Sequence, residues 1–175
     1  MSTTRLPGST LATLTVTTPS DREVRITRIF DAPRPMVFDC WTVPQLLKGW
    51  LHGPEGWRLD VCEIDLRVDG KARYVWRHRD GQAMGMTATY REVARPSLLI
   101  ASELFDEDWT GGETLGTVVF AEADGKTLLT QTILYASQAA RDSALGSGMT
   151  NGMADSYAQL DAYLAAQRDA ARGAA

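Results

Sequence analysis

The chain has 175 residues, 44% of them hydrophobic and 23% charged, which suits one compact domain with a sizeable core and excludes global disorder. A formal net charge of -4 and a pI near 5.2 argue against nucleic acid or an anionic membrane surface as partner, because both reward clustered Lys and Arg. The opening MSTTRLPGST lacks the basic and continuous apolar regions of a secretory signal, and no later run approaches the ~20 apolar residues of a membrane span, so the expected compartment is the cytoplasm.

Residues 1–10, polar with Pro7 and Gly8, are expected to fray, as are residues 167–175, which carry no apolar stripe. One domain is expected over residues 11–166. Leu11 to Val16 and Glu23 to Phe30 alternate β-branched residues on either side of TTPSD, the pattern of two strands joined by a turn. Asp31 is placed to cap a short helix whose first turn tolerates Pro33 and Pro35, with Val37, Phe38, Cys40 and Trp41 on its apolar side. After the Val43-Pro44 break comes a second short helix holding Leu46, Leu47 and Trp50, which the Gly and Pro of HGPEG terminate.

From Trp57 onward the pattern is β: WRLDVCEIDLRV, KARYVWRHR, QAMGMTATYREV, SLLIASELF, ETLGTVVFAEA and TLLTQTILY are separated by VDG, RDG, RP, DEDWTGG and ADGK. Strands in hairpin succession form an antiparallel meander that must bury one face against another layer. SQAARDSAL reads as a short helix, and the glycines at Gly146 and Gly148 as a hinge. Met149, Met153, Tyr157, Leu160 and Leu164 then share one helical face, so a helix from about Met149 to Leu164 is expected to cover the sheet.

Motifs for hydrolase, nucleotide or dinucleotide chemistry are absent: there is no G-x-S-x-G, no phosphate-binding loop, and Gly146, Gly148 and Gly152 miss the dinucleotide spacing. No cofactor is expected. His52 and His78 fall in loop or hairpin positions, and Cys40 and Cys62 lack Cys-x-x-Cys spacing, so neither a metal centre nor a disulfide is expected. The acidic DEDW stretch reads as a solvated loop, and Glu63 and Asp65 as an outward charge ladder facing Arg67.

The strings FDAPRPMVFDCWTVPQLLKGWLHGPEGW, CEIDLRVDGKARYVWR, GMTATYREVARPSLLIASELFDEDWTGGETLGT and GMTNGMADSYAQLDAYLA resemble, in order, the bacterial branch named after the activator of the heat-shock protein 90 ATPase. That branch belongs to the START and birch-pollen-allergen-like (SRPBCC) superfamily. The resemblance covers roughly residues 22 to 165. It implies an α+β helix-grip (START-like) fold, a curved antiparallel sheet wrapped around a long C-terminal helix, with two short helices after the first core strand. It also implies a cavity between sheet and helix, in which superfamily members hold lipids, sterols, hormones or polyketides and a minority do chemistry on them. ATPase activation is not expected, because in the co-chaperone it depends largely on an N-terminal domain that nothing in this sequence resembles.

Within that fold, Tyr74, Trp76, Met84 and Met86 fall on single parities of adjacent strands, facing Met149, Met153 and Tyr157; with Phe120 they form the expected lining for a small apolar or aromatic ligand. Leu160 and Leu164 are expected to pack tightly, and Met153 and Tyr157 to border the entrance. SLLIASELF is apolar on both parities, so either Ser102 or Glu103 faces inward. If it is Glu103, burial would raise its pKa and make it a general acid or base for a cyclase- or hydrolase-like reaction. A third reading is protein interaction, homodimerisation included, through loops around Trp57 and Trp109.

Overall fold

The computed structural model describes residues 14–174. The described elements run β1 (Thr15–Thr17), β2 (Glu23–Phe30), α1 (Arg34–Thr42), α2 (Pro44–Leu47), β3 (Trp57–Ile64), β4 (Lys71–His78), β5 (Ala83–Ala94), β6 (Leu98–Phe105), β7 (Thr114–Ala123), β8 (Lys126–Leu134), α3 (Gln138–Gly146) and α4 (Met149–Gly173). The strands form one antiparallel sheet in the order β1-β2-β8-β7-β6-β5-β4-β3. β3 to β8 is the expected hairpin meander; β2 then closes on β8, so α1 and α2 carry the chain from one side of the sheet to its far edge. Of the expected first strand, Leu11 to Val16, residues 11–13 lie outside the described residues, and the described strand runs Thr15–Thr17.

Period-two alternation decides which face is buried. On β2, Val24, Ile26, Arg28 and Phe30 are buried while Arg25 is exposed. Register slips between Leu59 and Val61 on β3 and between Tyr90 and Glu92 on β5. Such bulges bend a strand and increase its twist, which suits a sheet that wraps rather than lies flat.

Proline, not aspartate, opens α1: Pro33 stands at its N-cap without a side-chain cap. The Asp31 carboxylate instead meets Arg168 Nη1 at 2.9 Å. This replaces the expected capping role, and Arg168 belongs to a part of α4 that the sequence reading does not extend to. The apolar stripe ends at Leu164, but the helix continues to Gly173, because helical backbone needs no apolar face where long polar side chains such as Arg168 anchor it. α2 is also shorter than expected. Trp50 lies beyond it, fully buried, and its indole N–H donates to the Cys40 carbonyl at 2.8 Å.

The core lies between the concave face and the helices. Phe38 of α1 meets Phe120 of β7 edge-on at 5.3 Å, and Tyr157 of α4 meets Phe30 of β2 at 5.6 Å. Leu160 and Leu164 are almost wholly buried. Arg28 donates to Asp161, tying β2 to α4 through a guanidinium that is itself buried. Gly148, at φ +81°, caps α4 in the left-handed region, where a side chain would be strained. The hairpin-like turn from α3 into α4 therefore depends on glycine at that position.

Candidate functional site

The inward parities of six consecutive strands, β3 to β8, do not meet α4 everywhere. Between them lies a space of about 480 Å3. Within it the β4–β5 pair sets Tyr74 opposite Met86 and Trp76 opposite Met84. Tyr74 and Trp76 stack at 5.8 Å, and the Trp76 indole N–H donates to the Leu51 carbonyl at 3.0 Å, which holds the ring against the wall. Ala88 and Tyr90 continue the β5 row, and Leu99, Ala101, Glu103 and Phe105 the β6 row.

On the helix side, Met149, Gly152, Met153, Ser156 and Tyr157 close the space. The Tyr157 hydroxyl donates to Oε1 of Gln131 on β8 at 2.6 Å, and the Tyr135 hydroxyl lies 3.2 Å from Met149 Sδ. Tyr157 is 1% exposed and touches Phe30 and Trp41, so it forms the floor. This corrects the expectation that it borders the entrance. The most exposed lining residues are Pro54, Trp109, Ser147 and Gly148, and they mark the mouth. Trp109 lies 4.7 Å from Phe105.

Of the Asp, Glu, Lys, Arg and His side chains among the described residues, Glu103 alone lines the space. β6 resolves its ambiguity: Ser102 faces outward, where Arg91 Nη2 donates to its hydroxyl at 2.9 Å, and Glu103 faces inward. A Cβ on Gly116 would stand 3.3 Å from Glu103 Oε1, so the carboxylate lies over a strand position that offers only backbone. Among the described residues no cation pairs with it. Burial alone pushes its carboxyl up to about 7. Burial, with the Glu103 charge as a lesser contribution, raises the phenols of Tyr90 and Tyr135 to about 12 and holds that of Tyr74 well above its ordinary value. The arrangement is a carboxyl among neutral phenols, able to accept or release a proton near neutrality.

Of the eight expected lining residues, the structure brings Tyr74, Trp76, Met84, Met86, Met149, Met153 and Tyr157 around one space. Phe120 is not among them; it is 1% exposed and packed against Phe38 and Trp41. It faces inward as expected, but α1 covers that end of the sheet. Trp41, Gln131, Ile133 and Tyr135 line the space without having been singled out. Alternation along TLLTQTILY puts Gln131, Ile133 and Tyr135 on one face, so the signal for them was present. Trp41 had none, since its position depends on how α1 crosses the sheet.

Trp57 and Trp109, in the loops considered for protein interaction, both line this same space, and Trp109 is also exposed on the surface. Cys40 and Cys62 are free and buried, with thiols pushed up to about 11 by burial. His78 sits half-buried beside Asp80, 2.9 Å away. Among the described residues no three His, Cys, Asp or Glu side chains converge as metal ligands. Nor is any described helix long and apolar enough to cross a membrane.

The sequence model of the activator of Hsp90 ATPase homolog 1-like proteins matches residues 31–165. A crystal structure of a Rhodobacter sphaeroides protein is similar at 34% identity and a TM-score of 0.83, covering 87% of this chain and 98% of that one. A Mycobacterium smegmatis protein is 27% identical with a TM-score of 0.75, over 87% and 97% of the two chains. A Staphylococcus epidermidis protein solved by NMR is 26% identical with a TM-score of 0.75, over 87% and 94%. No curated protein matches the chain. With most of the chain matched by the family's sequence model, and the same helix-grip fold in relatives it nearly spans, this protein belongs to the activator of Hsp90 ATPase homolog 1-like family.

Proposed function

We propose that this protein binds a small hydrophobic or aromatic molecule between the sheet and α4. The observation that carries the reading is the unfilled space of about 480 Å3 walled by Trp, Tyr, Met and Leu. Protein cores close-pack, and a space of this size within an otherwise packed fold falls in the range that accommodates a small ligand. Four methionines at its walls, Met84, Met86, Met149 and Met153, adapt their shape at little cost.

A second reading, an enzyme of the cyclase or hydrolase kind acting in the same space, is favoured by one observation. Glu103 is an inward carboxyl whose proton affinity lies near neutrality, which suits general acid or base work. It requires a substrate atom within hydrogen-bond reach of that carboxyl.

Binding is tested by native mass spectrometry of protein purified under mild conditions, joined to titration with a hydrophobic fluorescent probe. Ala101→Phe, which grows from β6 into the space, is expected to weaken probe binding at least tenfold while leaving the unfolding midpoint near that of the parent. Unchanged probe binding in that variant would place the probe elsewhere and remove the support for the reading.

A further inference from the structure

We infer that the space selects a ligand carrying a protonated amine on an apolar or aromatic body, with Glu103 as its counter-ion. The inference rests on the ligand-binding reading and adds the charge of the ligand to it.

The argument begins from what the walls lack. Among the described residues no Lys, Arg or His lines the space, so no cation shown there compensates the charge of a carboxylate or phosphate ligand, and desolvating such an anion beside Glu103 would be doubly unfavourable. A fatty-acid-like or phosphorylated ligand is therefore excluded by charge, whatever its shape.

What the walls contain points the other way. Glu103 is inward, without a cation among the described residues, and its carboxylate occupies the room left by the missing side chain of Gly116. The groups around it are π-rich: Tyr74 on β4, itself stacked on Trp76, and Tyr90 and Tyr135 all stand close enough to feel its charge. Aromatic faces attract cations, and more strongly where water is excluded. A carboxylate with aromatic walls and no competing cation is the complement of an ammonium group.

Binding is also expected to depend on pH, because only the ionised carboxylate pairs with the amine. The groups facing Glu103 are the phenols of Tyr74 on β4, Tyr90 on β5 and Tyr135 just after β8, all held above their ordinary range and neutral at physiological pH. From β7 it faces Thr114 and Gly116, and from α4 the lining holds no charged side chain. Asp106, Glu107, Asp108 and Glu113 of the connection after β6 are exposed to water, with Asp106 paired to Arg73. Glu103 is thus the group that titrates inside the space between about pH 5 and pH 8. With its carboxyl near 7, amine affinity should fall roughly thirtyfold from about pH 8 to about pH 5.5.

The test uses three probes that share a naphthalene body: 1-naphthylmethylamine, 1-naphthalenemethanol and 1-naphthoic acid. Calorimetric or fluorescence titration of the full chain at about pH 8 is expected to rank them amine, alcohol, acid, with the amine at least tenfold tighter than the alcohol. Lowering the pH should erase that advantage while leaving the alcohol nearly unchanged. Glu103→Gln should also erase it, and the pH series on the unmodified chain decides the matter if that variant does not fold. If the alcohol or the acid binds as tightly as the amine, the charge selection is wrong and the ligand-binding reading stands. If none of the three binds, the ligand-binding reading falls and the inference falls with it.

Discussion

The hydroxyl of Tyr157 on α4 donates to the side-chain oxygen of Gln131 on β8 at 2.6 Å, at the floor of the central space. Both residues are buried, so each satisfies a polar group that has no water to turn to, and the bond ties the long helix to the middle of the sheet. Burial also drives the Tyr157 phenol far above its ordinary value, so it stays a donor at every accessible pH. Tyr157→Phe removes the donor, keeps the ring against Phe30, and leaves the Gln131 oxygen unpaired. The expected loss is about 1 to 3 kcal/mol of unfolding free energy in urea. A loss of a few tenths or less would mean that the bond is replaced by water entering from the space.

Leu160 and Met153 lie on the same side of α4 and should respond differently to truncation. Leu160 is wholly buried in the packed part of the core, whereas Met153 is half-buried against the space. Leu160→Ala leaves a void and should cost about 2 to 5 kcal/mol. Met153→Ala enlarges a space already present, so it should cost clearly less and alter the affinity for a hydrophobic probe more. Unfolding curves and probe titrations of the two variants check this, and equal destabilisation with unchanged probe binding would mean that the Met153 end is closed core.

Glu103 should make the stability of the unliganded protein fall with rising pH. Its carboxyl is raised from 4.5 to about 7 by burial, so the folded state holds the proton more tightly than the unfolded state. The stabilisation is complete below about pH 4.5 and is lost as pH rises through about 7, amounting to roughly 2 to 3 kcal/mol between pH 5 and pH 8. Glu103→Gln should flatten that slope and be the more stable form at about pH 8. Urea unfolding at the two pH values in both forms gives the comparison, and parallel pH profiles would place the Glu103 carboxyl in contact with bulk water.

Most of the sheet was legible because strand signals are local. Alternation along EVRITRIF and KARYVWRHR, with turn residues at RDG and ADGK, is imposed by a two-residue period and by backbone angles that few residues adopt. The Met149 to Leu164 stripe was legible for the same reason, at a period of 3.6. Element ends were less so: Asp31 has the chemistry of a helix cap, but Arg168, 137 residues away in sequence, takes its carboxylate and its carbonyl.

The sequence by itself determined which side chains share a face, and therefore placed Tyr74, Trp76, Met84, Met86, Met149, Met153 and Tyr157 on surfaces that must turn inward. Only the tertiary structure decided which inward residues touch one another and which border space. Phe120 and Tyr74 have equivalent alternation, yet α1 covers Phe120 and leaves Tyr74 open to the space. Glu103 is the sharper case, since SLLIASELF is apolar on both parities and no periodicity chooses between Ser102 and Glu103. The choice is made by register with β5 and β7, which pairs Ser102 with Leu115 and Glu103 with Thr114 and sets the carboxylate over Gly116. Alternation is a property of one strand, whereas the depth of a cavity and the partner of a buried charge depend on several elements meeting in three dimensions.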